Sequence, residues 1–135
     1  MSSSARQTAP HEVPLGTRLV LYACLPASLG EAAYHSMAST RRYVVDAGWE
    51  AVETYVDRAA PFESRAQCEG WHNALDAVEQ GRAVGIVAPL FVMLGYLEED
   101  RANLAARQAR TGAVITTPWA VVDAADSAAL RRSAA

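Results

Sequence analysis

A chain of 135 residues, 51% apolar and 20% charged, has the size and composition of one globular domain with a core of its own. Its formal net charge is −3, and its 12 basic side chains are all Arg, with no basic stripe; Arg41-Arg42 and Arg131-Arg132 are isolated pairs that read as solvated helix faces. Affinity for a nucleic-acid backbone comes largely from neutralising phosphates, so DNA binding by this chain alone is not expected.

Two cysteines, Cys24 and Cys68, and a first segment without the apolar core of a secretory signal predict a reducing, cytoplasmic setting. The longest apolar stretch, 84–97, is broken by Pro89 and is too short to span a bilayer, so no membrane association is expected.

Residues 1–16 are polar, hold Pro10, Pro14 and Gly16, and read as a disordered arm. Leu19–Cys24 is a continuous apolar run, the pattern of a strand covered on both faces in a parallel sheet. Leu25-Pro26-Ala27-Ser28 breaks it, and Ser28 with Glu31 three positions on predicts a capping box for a helix over 30–47. Ala33, Met37, Thr40 and Val44 share one face of that helix, and Gly48 stops it.

A second strand is predicted over 49–56, then a loop with Pro61 and a helix over 68–80 with Trp71, Leu75 and Val78 inward. A third strand follows over 83–88, with Pro89 opening a loop or a first helical turn. A long helix is predicted over 94–110, with Leu94, Leu97, Leu104 and Ala105 facing the core and Glu98, Glu99, Asp100 and Arg101 solvated. Gly112 ends it, 113–117 is a fourth strand, and 119–135 is an Ala-rich tail or short helix.

This alternation predicts an α/β fold: a three-layer sandwich with a mostly parallel sheet of four to five strands and helices on both faces. Ligands of such sheets bind at the carboxyl ends of the strands, which directs attention to the loops after Cys24 and Ala88.

Tyr22-Ala23-Cys24-Leu25-Pro26, then Ala47-Gly48-Trp49-Glu50, Val56-Asp57 and Gln67-Cys68-Glu69-Gly70-Trp71, resemble in their order the motifs of the catalytic domain of the serine recombinases, the resolvases and invertases. Tyr22-Ala23-Cys24-Leu25-Pro26 is similar to that family's Tyr-x-Arg-Val-Ser opening. Ala47-Gly48-Trp49-Glu50 with Tyr43 before it, and then Val56-Asp57, resemble its Ala-x-x-x-Gly-Trp … Val-Asp stretch. Gln67-Cys68-Glu69-Gly70-Trp71 stands where the family has Asp-Arg-Pro-Gly and an apolar residue, and Gly81-Arg82 and Thr111–Ile115 continue the likeness. The resemblance spans about 17–120 and implies a resolvase-like domain over 17–118 with flavodoxin-like strand order, related to DNA recombination.

The resemblance also implies which positions have changed. The family's nucleophilic Ser falls on Pro26, the Arg before it on Cys24, and the Arg of Asp-Arg-Pro-Gly on Cys68, with Arg65 as a nearby substitute. The charged Lys-Leu-Asp-Arg-Leu-x-Arg segment falls on the uncharged run from Pro89 to Gly95. Covalent strand exchange needs a nucleophile and cations to stabilise the phosphorane; removing one such donor costs about 10²–10³ in rate. The expectation is therefore a pseudo-enzyme, a catalytically inactive interaction or regulatory module that self-associates as a homodimer or binds another protein. Fewer than 20 residues follow Thr117, too few for the dimer helix and helix-turn-helix that the family places there.

Two alternatives stay open. Ser28 is a shifted nucleophile for an active recombinase, set against its role as a helix cap. Cys24, Cys68 and His72 form a metal or redox site, or the cleft they line senses a small ligand, set against two small buried side chains filling the space of lost arginines. No cofactor is expected, because no glycine-rich phosphate loop follows the first strand. The run Leu90, Phe91, Val92, Met93, with Tyr96 and Leu97, is either an exposed docking surface or core that has filled the old cleft. His11 and His35 show no partner pattern.

Overall fold

The computed structural model describes residues 5–118. Four parallel strands form one sheet in the order β2-β1-β3-β4: β1 Arg18–Cys24, β2 Glu50–Asp57, β3 Gly85–Val87 and β4 Val114–Thr116. Helices α1 Glu31–Asp46, α2 Glu69–Glu79 and α3 Glu98–Thr111 make the three crossovers. The first crossover runs one way along the sheet and the other two run back, so right-handed connections place α1 on one face and α2 and α3 on the other. Side chains of α2 and α3 accordingly line one cavity over Ile86 and Ile115. Among the described residues the sheet has four strands and is wholly parallel, at the lower bound of the expected count.

β1 is central in sequence pattern and in space. Every residue from Leu19 to Cys24 is buried, because β2 and β3 bond to its two edges and helices cover both faces. Burying each such apolar side chain contributes about 1.5–3 kcal/mol, which makes this strand the anchor of the core. Two glycines are fixed by close approach. A Cβ on Gly85 would lie 2.2 Å from the Val114 carbonyl oxygen, so only Gly lets β3 and β4 pair here. Gly48 ends the α1 turn at φ +81, where Leu15 would meet any side chain.

Several expectations need correction. The segment before β1 is not a free arm over residues 5–16. Thr8 N–H donates to the Ile115 carbonyl at 2.7 Å and the Ile115 N–H to Thr8 Oγ1 at 3.3 Å, so this segment covers the outer edge of β4. Val13 is buried, and its carbonyl accepts from Trp49 Nε1 at 3.3 Å. One apolar residue with a place in the core outweighs the polar composition around it.

Ser28 does not cap α1. A 3-10 turn over Ala27–Leu29 intervenes, Gly30 is the cap position, and no side chain bonds to the first turn. The third helix starts at Glu98 rather than near 94, because a second 3-10 turn, Phe91–Leu94, carries Leu94 into the core beneath β1. Asp100 is not on a solvated face; it is buried, and its Oδ2 accepts from the Arg65 N–H at 3.0 Å. The expectation for 119–135 lies outside the described residues.

Candidate functional site

The strand order reverses between β1 and β3, so the crevice beyond their carboxyl ends is where a fold of this type binds its ligand. In this chain the crevice is closed by the chain itself. The β2–α2 loop drops Arg65 into it, and the 3-10 turn Phe91–Leu94 packs over β1 from the other side. Arg65 is the largest fully buried side chain, 1% exposed.

The Arg65 guanidinium is held by backbone oxygens. Nη1 donates to the Met93 carbonyl at 3.2 Å; Nη2 donates to those of Glu63 at 2.7 Å, Ala60 at 3.0 Å and Pro61 at 3.4 Å. Its Nε has no partner. Among the described residues no carboxylate pairs with the guanidinium, so the buried cation is held by loop carbonyls through its two terminal nitrogens, with Nε left unpaired. This arrangement ties the β2–α2 loop to the loop after β3.

Both cysteines face this cation. Cys24, the last residue of β1, donates its thiol to the Ala59 carbonyl at 3.2 Å, and Cys68 donates to the Ser64 carbonyl at 3.6 Å. They are free thiols. Burial pushes each thiol above its ordinary range, and the nearby Arg65 charge only partly offsets that. They are thus neutral donors, the opposite of an activated thiolate.

The Cys24, Cys68 and His72 trio does not assemble. His72 Nε2 lies 2.8 Å from the Ala66 carbonyl on an exposed surface. Among the described residues no group of three His, Cys, Asp or Glu could hold a metal ion. The geometry is that of two small side chains packed around an arginine.

Near Arg65 and the two thiols stands a carboxylate to which sequence reading assigned no separate role. Asp57, the last residue of β2, accepts from Tyr22 Oη at 2.7 Å and from the N–H groups of Gly70 and Trp71, each at 2.8 Å. Asp57 therefore caps α2 from another strand, with its negative charge at the positive end of that helix. Burial, then the hydrogen bond to Asp57, pushes the Tyr22 hydroxyl far above the usual phenol range. A Cβ on Gly70 would come within 2.9 Å of both Asp57 oxygens, which explains the glycine there. The sequence signal was Val56-Asp57 within the resemblance, just past the strand predicted over 49–56.

The remaining expected positions separate. Pro26 is half-buried at the mouth of the loop after β1, and Pro89 is buried after β3. Ser28 is exposed on its 3-10 turn, and no described residue bonds its hydroxyl. In the apolar run, Met93 belongs to the core, Phe91 and Val92 are half-buried, and Leu90, Tyr96 and Leu97 are exposed. The run is thus divided between core and surface, and Met93 is unavailable to a partner.

Beside the closed crevice, α1 and the end of β2 border an open groove of about 430 Å³. Tyr34, Val56, Arg41 and Arg58 line it, and among the described residues neither arginine has an ion-pair partner.

Among solved structures, the chain is similar to the C-terminal catalytic domain of ISC1926 TnpA, an IS607-like serine recombinase. The TM-score is 0.67, at 16% identity, over 87% of this chain and 78% of that one. The fold is that of a serine recombinase catalytic domain. At this identity the likeness is one of fold, and it bears out the fold that the sequence resemblance implied. No family model matches the sequence, and no curated protein does. No helix among the described residues is long and apolar enough to cross a membrane.

Proposed function

We propose that this chain is a non-catalytic module for protein interaction or regulation, built on a serine-recombinase scaffold and acting through self-association. The observation that carries this reading is the state of the crevice. Arg65 is spent on four backbone carbonyls, both thiols are neutral donors, and Pro26 offers no hydroxyl. Phosphoryl transfer needs an accessible nucleophile next to a base and free cations aimed at the developing charge. A crevice filled by Arg65 and two protonated thiols supplies none of these.

The alternative of a shifted Ser28 nucleophile finds little support, since its hydroxyl stands on an exposed turn with no base bonded to it. The small-ligand or metal sensor at Cys24 and Cys68 fares no better, because both thiols are buried and already donating. The test is incubation of the purified chain with supercoiled plasmid. The expected outcome is unchanged topology; nicking or relaxation that disappears in Ser28→Ala would overturn the proposal.

A further inference from the structure

The seam between two helices packed on one face of a sheet is ordinarily apolar. The seam between α2 and α3 is not. Asp100, Asn103, Arg107 and Arg110, spaced three, four and three apart, share the side of α3 that borders α2, with the small Ala106 among them. His72 borders the same space from α2, and Arg65 from the turn before it. The result is an open cleft of about 310 Å³ between the two helices, on the face of the sheet opposite α1.

Two guanidiniums of this cleft are held together by one carboxylate. Arg107 Nη1 donates to Glu79 Oε1 at 3.1 Å, and Arg110 Nη2 donates to the same oxygen. Among the described residues neither arginine spends another nitrogen, so both keep donors to give. Asp100, the one carboxylate that lines the cleft, is taken by the Arg65 N–H; Asp76, a turn past His72, does not border it. Arg65, Arg107 and Arg110 set against Asp100 and Glu79 leave one positive charge, counting His72 as neutral.

We propose that this cleft binds the phosphoryl group of a small ligand, a phosphate monoester or free phosphate. Paired guanidiniums suit a tetrahedral oxyanion, whose several oxygens accept planar, forked donors from two directions. Glu79 holds the two arginines in place beforehand, so little side-chain freedom is lost on binding. The cleft stands at the lower end of the range for small-molecule sites, about 300–1,000 Å³, and Leu75 and Ala66 offer apolar surface to the body of a monoester. A ligand there touches both α2 and α3, so it binds only the folded chain. The site belongs to the helices and does not depend on the proposed self-association.

The test is isothermal titration calorimetry of the full chain at fixed ionic strength, with inorganic phosphate and glycerol 3-phosphate as probes. The variants are Arg107→Gln and Arg110→Gln, with Arg41→Gln as a control that removes the same charge on α1, away from the cleft. Circular dichroism confirms that each is folded. Both probes are expected to bind the wild type, each cleft variant to weaken them by about tenfold or more, and Arg41→Gln to leave them unchanged. Tighter binding of the monoester names it as the source of the phosphoryl group, and equal binding names free phosphate. No binding of either probe, or binding that survives both cleft variants, overturns the inference. Equal weakening by Arg41→Gln overturns it too, as an effect of charge without a site. Duplex DNA bound in preference to both probes, and lost in the same variants, would give the cleft to nucleic acid and likewise overturn it.

Discussion

The Tyr22 hydroxyl donates to Asp57 Oδ2 at 2.7 Å, and that carboxylate also receives the first amides of α2. One side chain thus joins β1, β2 and the helix that follows, at the place where the fold would otherwise present a ligand site. Replacing it should cost more than an ordinary cap. Asp57→Ala orphans two helix N–H groups and a buried phenol, an expected loss of about 3 kcal/mol in urea denaturation. Asp57→Asn keeps one acceptor and Tyr22→Phe removes one bond, so each should cost about 1 kcal/mol.

Arg65 should matter as much for stability as any core apolar residue. Arg65→Ala leaves four loop carbonyls without donors and opens a cavity beside Cys24 and Cys68, an expected loss of about 3 kcal/mol or more. Arg65→Lys should recover only part of this, since one ammonium has three donors at a single point and cannot span both loops. Thermal denaturation of the two variants side by side reads the difference.

How much of this was legible in the sequence follows from how local each signal is. The continuous apolar run of β1 stood out because a strand covered on both faces has no polar positions, and Gly48, Gly81 and Gly112 marked helix ends through their left-handed conformations. Ser28 misled because a capping box is a local pattern, and the 3-10 turn that displaces it is set by how the loop packs. The α2 cap was hidden for the opposite reason: its carboxylate lies at the end of a different strand, 13 residues before the Gly70 amide it accepts from. Asp100 looked solvated amid Glu98 and Glu99, and only the fold brings the Arg65 amide to it from 35 residues away. Arg65 itself was visible as a basic residue near a changed position, but its partners, all backbone carbonyls, leave no trace in sequence.

The buried groups of the crevice predict alkaline sensitivity. Tyr22, Cys24 and Cys68 all have ionisation pushed upward in the folded chain, with burial the leading cause. The unfolded chain therefore releases protons first, at about pH 8.5 for the thiols and about pH 10 for the phenol. Stability should be unaffected by these groups below about pH 8 and should fall as pH rises beyond that, by up to about 1.4 kcal/mol per pH unit for each group ionised only in the unfolded state. Urea midpoints measured from pH 7 to 10 test this, and Cys24→Ala with Cys68→Ala should flatten the first part of the decline.

Gly85 offers a purely steric test. A methyl group there would sit 2.2 Å from the Val114 carbonyl oxygen, inside the backbone of the neighbouring strand. Gly85→Ala should force β3 and β4 apart and cost about 3 kcal/mol or more, against about 1–2 kcal/mol for Gly81→Ala or Gly16→Ala, whose added Cβ meets nothing within 4 Å and whose cost is that of the left-handed backbone conformation alone.

On the proposal above, the crevice at the strand ends is structure without strand-exchange chemistry. The most direct measurement is a denaturing gel with mass spectrometry on the chain after incubation with end-labelled supercoiled DNA. No covalent protein–DNA adduct is expected at any time point. An adduct that maps to Ser28, or to any hydroxyl or thiol of the loops around Arg65, would contradict it.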